Sequence, residues 1–141
     1  MSRVLHFTDA QTKQSTELLD QFLATSPDFV AALISTVDGR LMLERSRREI
    51  GASRIASMAS SLMALGEALG TQLDMKPCSH VTVSTDAGVI VSLRVNDDRN
   101  VLALTTAARD GVKLGTLLAS SRRAADGLSQ IASATTVKTD L

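Results

Sequence analysis

Phe29-Val30-Ala31-Ala32-Leu33-Ile34-Ser35-Thr36-Val37-Asp38-Gly39-Arg40-Leu41-Met42-Leu43-Glu44 is the stretch whose reading decides the fold. Its first six residues are apolar without alternation. A short helical segment has the same look, but the flanks and the length favour a strand buried on both faces, hence a central one. Asp38-Gly39 is the strongest turn signal in the chain, because the pair tolerates the positive φ of a type I′ turn joining two antiparallel strands. The returning strand, Arg40 to Glu44, alternates more and is expected to have one face partly solvated, as at a sheet edge.

Upstream, a helix is expected from about Asp9 to Thr25, with an apolar face of Leu18, Leu19, Phe22 and Leu23. Thr8 and Gln11 have the spacing of a capping box, with Asp9 as a competing cap. Ser26-Pro27-Asp28 stops this helix, since the residue before proline is pushed out of the helical region.

Downstream, Arg45 to Gly51 reads as a polar loop and Ser53 as the N-cap of a long helix reaching about Leu73. That helix carries two stripes. Ile55, Met58, Leu62, Leu65 and Leu69 recur every three or four residues and read as the sheet-facing row. Ala56, Ala59, Ser60, Met63, Gly66, Glu67 and Gly70 form a band of mostly small residues. An interior glycine costs a helix about 1 kcal/mol relative to alanine, so two on one side imply close approach of another backbone. A partner subunit's helix is the expected neighbour, against a tight contact within the same subunit, such as with another of its helices.

Three further strands follow. His80 to Thr85 alternates cleanly and should have one wet face. Asp86-Ala87-Gly88 reads as a three-residue hairpin loop, Val89 to Val95 as the next strand, and Asn96-Asp97-Asp98-Arg99 as another turn. Val101 to Ala107 is apolar enough to be central, so the three strands make a meander. A last helix is expected, capped by Asp110, with Leu114, Leu117, Leu118, Ala125, Leu128 and Ile131 buried and with Gly111, Gly115 and Gly127 weakening it locally. The order divides the chain into a helical segment over 1–28, a domain over 29–134 and a short polar tail over 135–141.

The totals narrow the function. A chain of 141 residues fits one core. Fifteen basic residues balance fifteen acidic ones, so long-range steering toward nucleic acid or an anionic membrane is not favoured. Aromatics are 2%, too few for base-stacking platforms. Cys78 is the only cysteine, which excludes an intramolecular disulfide. The first nine residues lack the apolar run of a signal peptide, and no stretch approaches the roughly 20 apolar residues of a membrane span. A cytoplasmic protein without membrane insertion is expected.

Catalytic constellations are thin. His6 and His80 lack metal-ligand spacing, and no cofactor motif is present. Cys78 and His80 are two residues apart, but no third orienting group accompanies them, and a half-buried small residue is the favoured reading of Cys78. Gly66-x-x-x-Gly70 and Gly111-x-x-x-Gly115 are not phosphate-binding loops. Arg45, Arg47 and Arg48, with Arg54 one turn into the long helix, are candidates to receive an anion or an acidic partner near that helix's N-terminus, against a solvated loop partly neutralised by Glu44 and Glu49.

From Phe29 to Ile131 the chain resembles the roadblock family of dynein-associated light chains and bacterial subunits that regulate Ras-like small GTPases. The resemblance is carried by Ala32 to Leu41, by Ala56-Ser57-Met58-Ala59-Ser60-Ser61-Leu62 with the long helix, by Val89-Ile90-Val91-Ser92-Leu93 and Val101-Leu102-Ala103-Leu104, and by Gly111-Val112-Lys113-Leu114-Gly115 with Leu117-Leu118. It implies an α+β fold: a five-stranded antiparallel sheet with the long middle helix on one face and the first and last helices on the other. It implies a homodimer in which the long helices pack together and the strand containing Val81 and Val83 pairs with its mate. It also implies a non-enzymatic scaffold or modulator of a small GTPase. Two other readings stand beside it, a small-molecule sensor module and a thiol enzyme using Cys78 and His80.

Overall fold

The computed structural model describes residues 6–75, 77–96 and 101–136. Helix α1 (Asp9–Ala24) starts on a capping box: the Gln11 amide donates to Thr8 Oγ1 at 3.1 Å and the Thr8 amide to Gln11 Oε1 at 2.8 Å. Asp9 is therefore the first helical residue and not the cap. Strand β1 (Phe29–Thr36) is buried along almost its whole length, and β2 (Leu41–Ser46) returns beside it.

Their connection differs from a two-residue type I′ turn. The Gly39 amide donates to the Thr36 carbonyl at 3.0 Å and the Thr36 amide to the Arg40 carbonyl at 2.9 Å, which closes a three-residue loop. The positive φ falls on Gly39 alone, at +98°, while Asp38 accepts a hydrogen bond from the Thr36 hydroxyl. This is the geometry in which one glycine after a turn restores strand pairing. Gly39 has a second reason to be bare: an added Cβ would lie 3.2 Å from both Ser57 Cα and Ser60 Cβ of the helix above. Strand β2 also runs past Glu44, because Ser46 still pairs with Ala31 and the Arg47 amide donates to the Val30 carbonyl at 2.9 Å.

Helix α2 (Ala52–Gln72) has Gly51 at its N-cap position with no side-chain cap, so Ser53 lies inside the first turn. Strand β3 (His80–Thr85) joins β4 (Gly88–Arg94) through a two-residue loop, Asp86-Ala87, because Gly88 already pairs with Thr85. A Cβ on Gly88 would run into the Ala108 carbonyl oxygen, so the neighbouring backbone requires glycine there. Strand β5 (Leu102–Arg109) ends two residues later than the apolar run Val101 to Ala107 suggested. Helix α3 (Leu114–Thr136) starts beyond Asp110, whose amide is held by the Ala87 carbonyl at 2.9 Å while Gly111 takes a φ of +91°. The turn expected over Asn96 to Arg99 and the tail beyond Thr136 fall largely outside the described residues.

All pairings are antiparallel, in the order β2-β1-β5-β4-β3, so β1, β5 and β4 are internal and β2 and β3 are the edges. Helices α1 and α3 cover one face. Leu19, Phe22, Leu117 and Leu128 pack there on Phe29, Ile34, Val91, Leu102 and Leu104, and the Phe22 and Phe29 rings stack at 4.8 Å. Helix α1 thus shares the core of the sheet. Gly127 lets the two helices close up, since its Cβ would lie 2.9 Å from Leu18 Cδ1. Of the expected stripe on α3, Leu117, Ala125 and Leu128 are buried, Leu118 and Ile131 half-buried and Leu114 exposed, because the helix starts only at that residue. Among the described residues helix α2 lies alone on the other face.

Candidate functional site

The two stripes of α2 face opposite to the expectation. The buried residues are Ala52, Ala56, Ala59 and Met63, whereas Met58, Leu62, Leu65 and Leu69 are 53%, 39%, 61% and 64% exposed. The physical reason is distance. A helix lying on a pleated sheet approaches closely only through small side chains, and close packing is worth more there than the bulk of leucine. The band expected to meet a second subunit is the band that meets the chain's own sheet.

Each member of that band has a neighbour within the chain. Ala56, Ala59 and Met63 are buried, which leaves them no surface for a partner. The Ser60 hydroxyl donates to the Val37 carbonyl at 2.8 Å. Gly66 sits over Cys78 and Val81, with its missing Cβ 2.7 Å from Cys78 Sγ and 3.1 Å from Val81 Cγ1. Glu67 pairs with Arg94 at 3.4 Å. Gly70 offers its carbonyl to the Met75 amide at 2.8 Å, where the helix ends and Asp74 turns the chain with a φ of 54°. Val81 and Val83 are half-buried on β3, whose outer edge has no strand beside it among the described residues.

The row left outside is continuous. Ile55, Met58, Leu62, Leu65 and Leu69 follow a 3-4-3-4 spacing, the seam of a helix that packs lengthwise on another helix. Ile55 is half-buried beside Ala31, Leu33 and Ala52, and beyond the helix Leu73 and Met75 are also exposed.

The four arginines do not form one cluster. Arg45 reaches back to Asp20 of α1, with Nε 3.1 Å from the carboxylate. Arg47 points into the start of the fold: Nε donates to the Phe29 carbonyl at 2.6 Å, and Nη2 to the Ser26 carbonyl at 3.1 Å and to the Leu23 carbonyl. One guanidinium therefore ties the end of α1 to the start of β1, where unpaired helix carbonyls favour a cation. Arg48 and Arg54 remain exposed. Sequence reasoning missed Arg109, at the exposed end of β5, because it ended that strand at Ala107.

Two adjoining depressions lie on the α2 side of the sheet. One, of about 320 Å³, runs between the flank of α2 and the sheet, past Ile55, Met58, Leu62, Val83 and Thr105. The other, of about 480 Å³, opens at the sheet end among Arg47, Arg48, Arg109 and the β3–β4 loop. Val30, Arg48, Ile90 and Ala107 line both.

The thiol is placed structurally. Cys78 Sγ donates to the His80 carbonyl at 3.3 Å, and the His80 ring meets Ser79 Oγ at 3.1 Å through Nδ1, so thiol and imidazole are not bonded to each other. Among the described residues no helix is long and apolar enough to cross a membrane, and no three His, Cys, Asp or Glu side chains converge as metal ligands.

This architecture is a roadblock-type α+β fold. It is similar to a solved MglB with a tetrameric arrangement at 17% identity, covering 94% of this chain and 97% of that one, with a TM-score of 0.82. It is similar also to the gliding protein MglB of Thermus thermophilus, at 15% identity over 94% and 98% of the two chains, with a TM-score of 0.81. The Roadblock/LC7 domain of Streptomyces avermitilis matches at 16% identity over 89% and 97%, with a TM-score of 0.65. No protein-family profile and no curated protein matches the sequence.

Proposed function

We propose that this chain is a non-catalytic homodimeric subunit that binds a Ras-like small GTPase and modulates its nucleotide cycle or its location. The observation that carries the reading is the exposed row Met58, Leu62, Leu65 and Leu69 on α2, set on a roadblock-type fold beside a β3 edge that no strand of the described residues covers. Contiguous apolar surface of this kind is rare on monomers and marks interaction sites. The 3-4-3-4 seam suits a second copy of the same helix, and an unpaired edge strand is a template for pairing with its mate. Dimerisation through this row replaces dimerisation through the small-residue band, while Val81 and Val83 keep their place on the pairing strand.

The test is a pull-down with tagged protein from native lysate, run in parallel with GDP and with a non-hydrolysable GTP analogue. A small GTPase enriched in one lane supports regulation of the nucleotide cycle, and equal enrichment supports scaffolding. Retention of no GTPase counts against the reading and favours the small-molecule sensor. The sensor reading needs a pocket that surrounds its ligand, and it would show as a rise in melting temperature with one compound of a metabolite panel.

A further inference from the structure

We propose that the cleft at the open end of the α2-side sheet face docks an acidic and apolar segment of a partner polypeptide, with Arg48 and Arg109 holding its carboxylates. The cleft of about 480 Å³ has charged lining of one sign only: Arg47, Arg48 and Arg109. Arg47 is engaged on backbone carbonyls and forms a fixed wall. Arg48 and Arg109 are exposed, and among the described residues neither side chain has an ion-pair or hydrogen-bond partner. Asp86 in the β3–β4 loop and Asp110, whose amide donates to the Ala87 carbonyl of that loop, do not line the cleft. A carboxylate entering it meets two free guanidinium groups, which bind such groups bidentately.

The floor decides against a free anion. Val30, Ile90 and Ala107 are incompletely covered, with Ile90 37% exposed, and they continue into the apolar groove along α2. Val30 is there because the β1–β5 register slips between Phe29 and Ala31, leaving Val30 as the extra residue of a bulge. Bulges re-aim side chains in this way. An inorganic anion would use the arginines and leave this floor wet, whereas a segment with acidic and apolar side chains uses both. Arg109 ends β5, where its amide donates to the Asp28 carbonyl at 2.9 Å, and Arg48 lies two residues beyond β2, where its carbonyl accepts from the Ser46 hydroxyl. For the partner's identity the inference rests on the GTPase reading; for the chemistry of the cleft it does not.

The test uses the full chain and fluorescein-labelled synthetic peptides read by anisotropy. One peptide alternates Glu and Leu, a second replaces Glu by Lys, and a third replaces Leu by Ser. The expected result is saturable binding of the first alone, weakened at least tenfold by Arg48→Glu with Arg109→Glu and weakened by 0.5 M salt. Lys13→Glu, exposed on α1 and outside the cleft, should leave it unchanged. Equal binding of the Lys peptide, no saturation by the Glu-Leu peptide, or no effect of the double substitution overturns the proposal. So does conversion of the double variant to a monomer, since the cleft then belongs to the contact between copies. The same double variant as bait separates the two readings. A GTPase retained equally by it and by the wild type keeps the function and removes the cleft, whereas peptide binding without any retained GTPase keeps the cleft and removes the function.

Discussion

Gly66 of α2 passes directly over Cys78: a Cβ on the glycine would lie 2.7 Å from the sulfur and 3.1 Å from Val81. The contact lies inside one subunit. Gly66→Leu is therefore expected to lower the stability of the fold itself, by about 1–3 kcal/mol as in other overpacked sites, with a reduced urea midpoint that does not depend on protein concentration. Ala59→Arg should behave alike, because Ala59 is buried against the sheet.

Leu65→Glu tests the opposite face. Leu65 is 61% exposed in the single chain, so the substitution should leave the circular dichroism spectrum of the chain intact and shift light scattering from dimer to monomer. A Leu65→Glu protein that stays dimeric at low micromolar concentration removes the apolar row as the seam.

The reversal of these two faces explains what the sequence made legible. The order and identity of the strands were readable because β1 has a continuous apolar run and because Asp38-Gly39 and Gly88 punctuate the hairpins. The α2 assignment failed because periodicity locates a stripe without saying which of two stripes is the inner one. Leucine and methionine carry more hydrophobicity than alanine, yet close approach to the sheet selected alanine by fit. Arg47 was illegible for a different reason: its three carbonyl partners come from residues 18 to 24 positions away in the chain, and no local pattern announces them.

Arg47 should accordingly matter more than its neighbours. Hydrogen bonds to a charged group contribute about 1.5–3 kcal/mol, so Arg47→Met is expected to lower the urea midpoint clearly, and Arg47→Lys to recover only part of the loss because an ammonium lacks the planar fork. Arg48→Ala should change stability by no more than about 0.5 kcal/mol, as exposed positions do.

The Thr106 and Ser121 hydroxyls meet at 2.8 Å between β5 and α3, and both residues are fully buried. Either single replacement, Thr106→Val or Ser121→Ala, strands the other hydroxyl at a cost of about 1–3 kcal/mol. The double replacement should cost less than the sum, and a thermodynamic cycle from denaturant unfolding measures the difference. Strict additivity would show the hydroxyls to be uncoupled.

Because α2 buries only four of its 21 residues, three of them alanines, it is held to the sheet by little apolar surface, at about 0.8 kcal/mol per buried methylene-sized group. Its backbone amides are therefore the ones that should trade hydrogen for deuterium earliest in an isolated chain, well before those of β1 and β5. Assembly would then act as a brake on that local opening, so that the exchange rate of a single helix reports how much of the protein has found its partner.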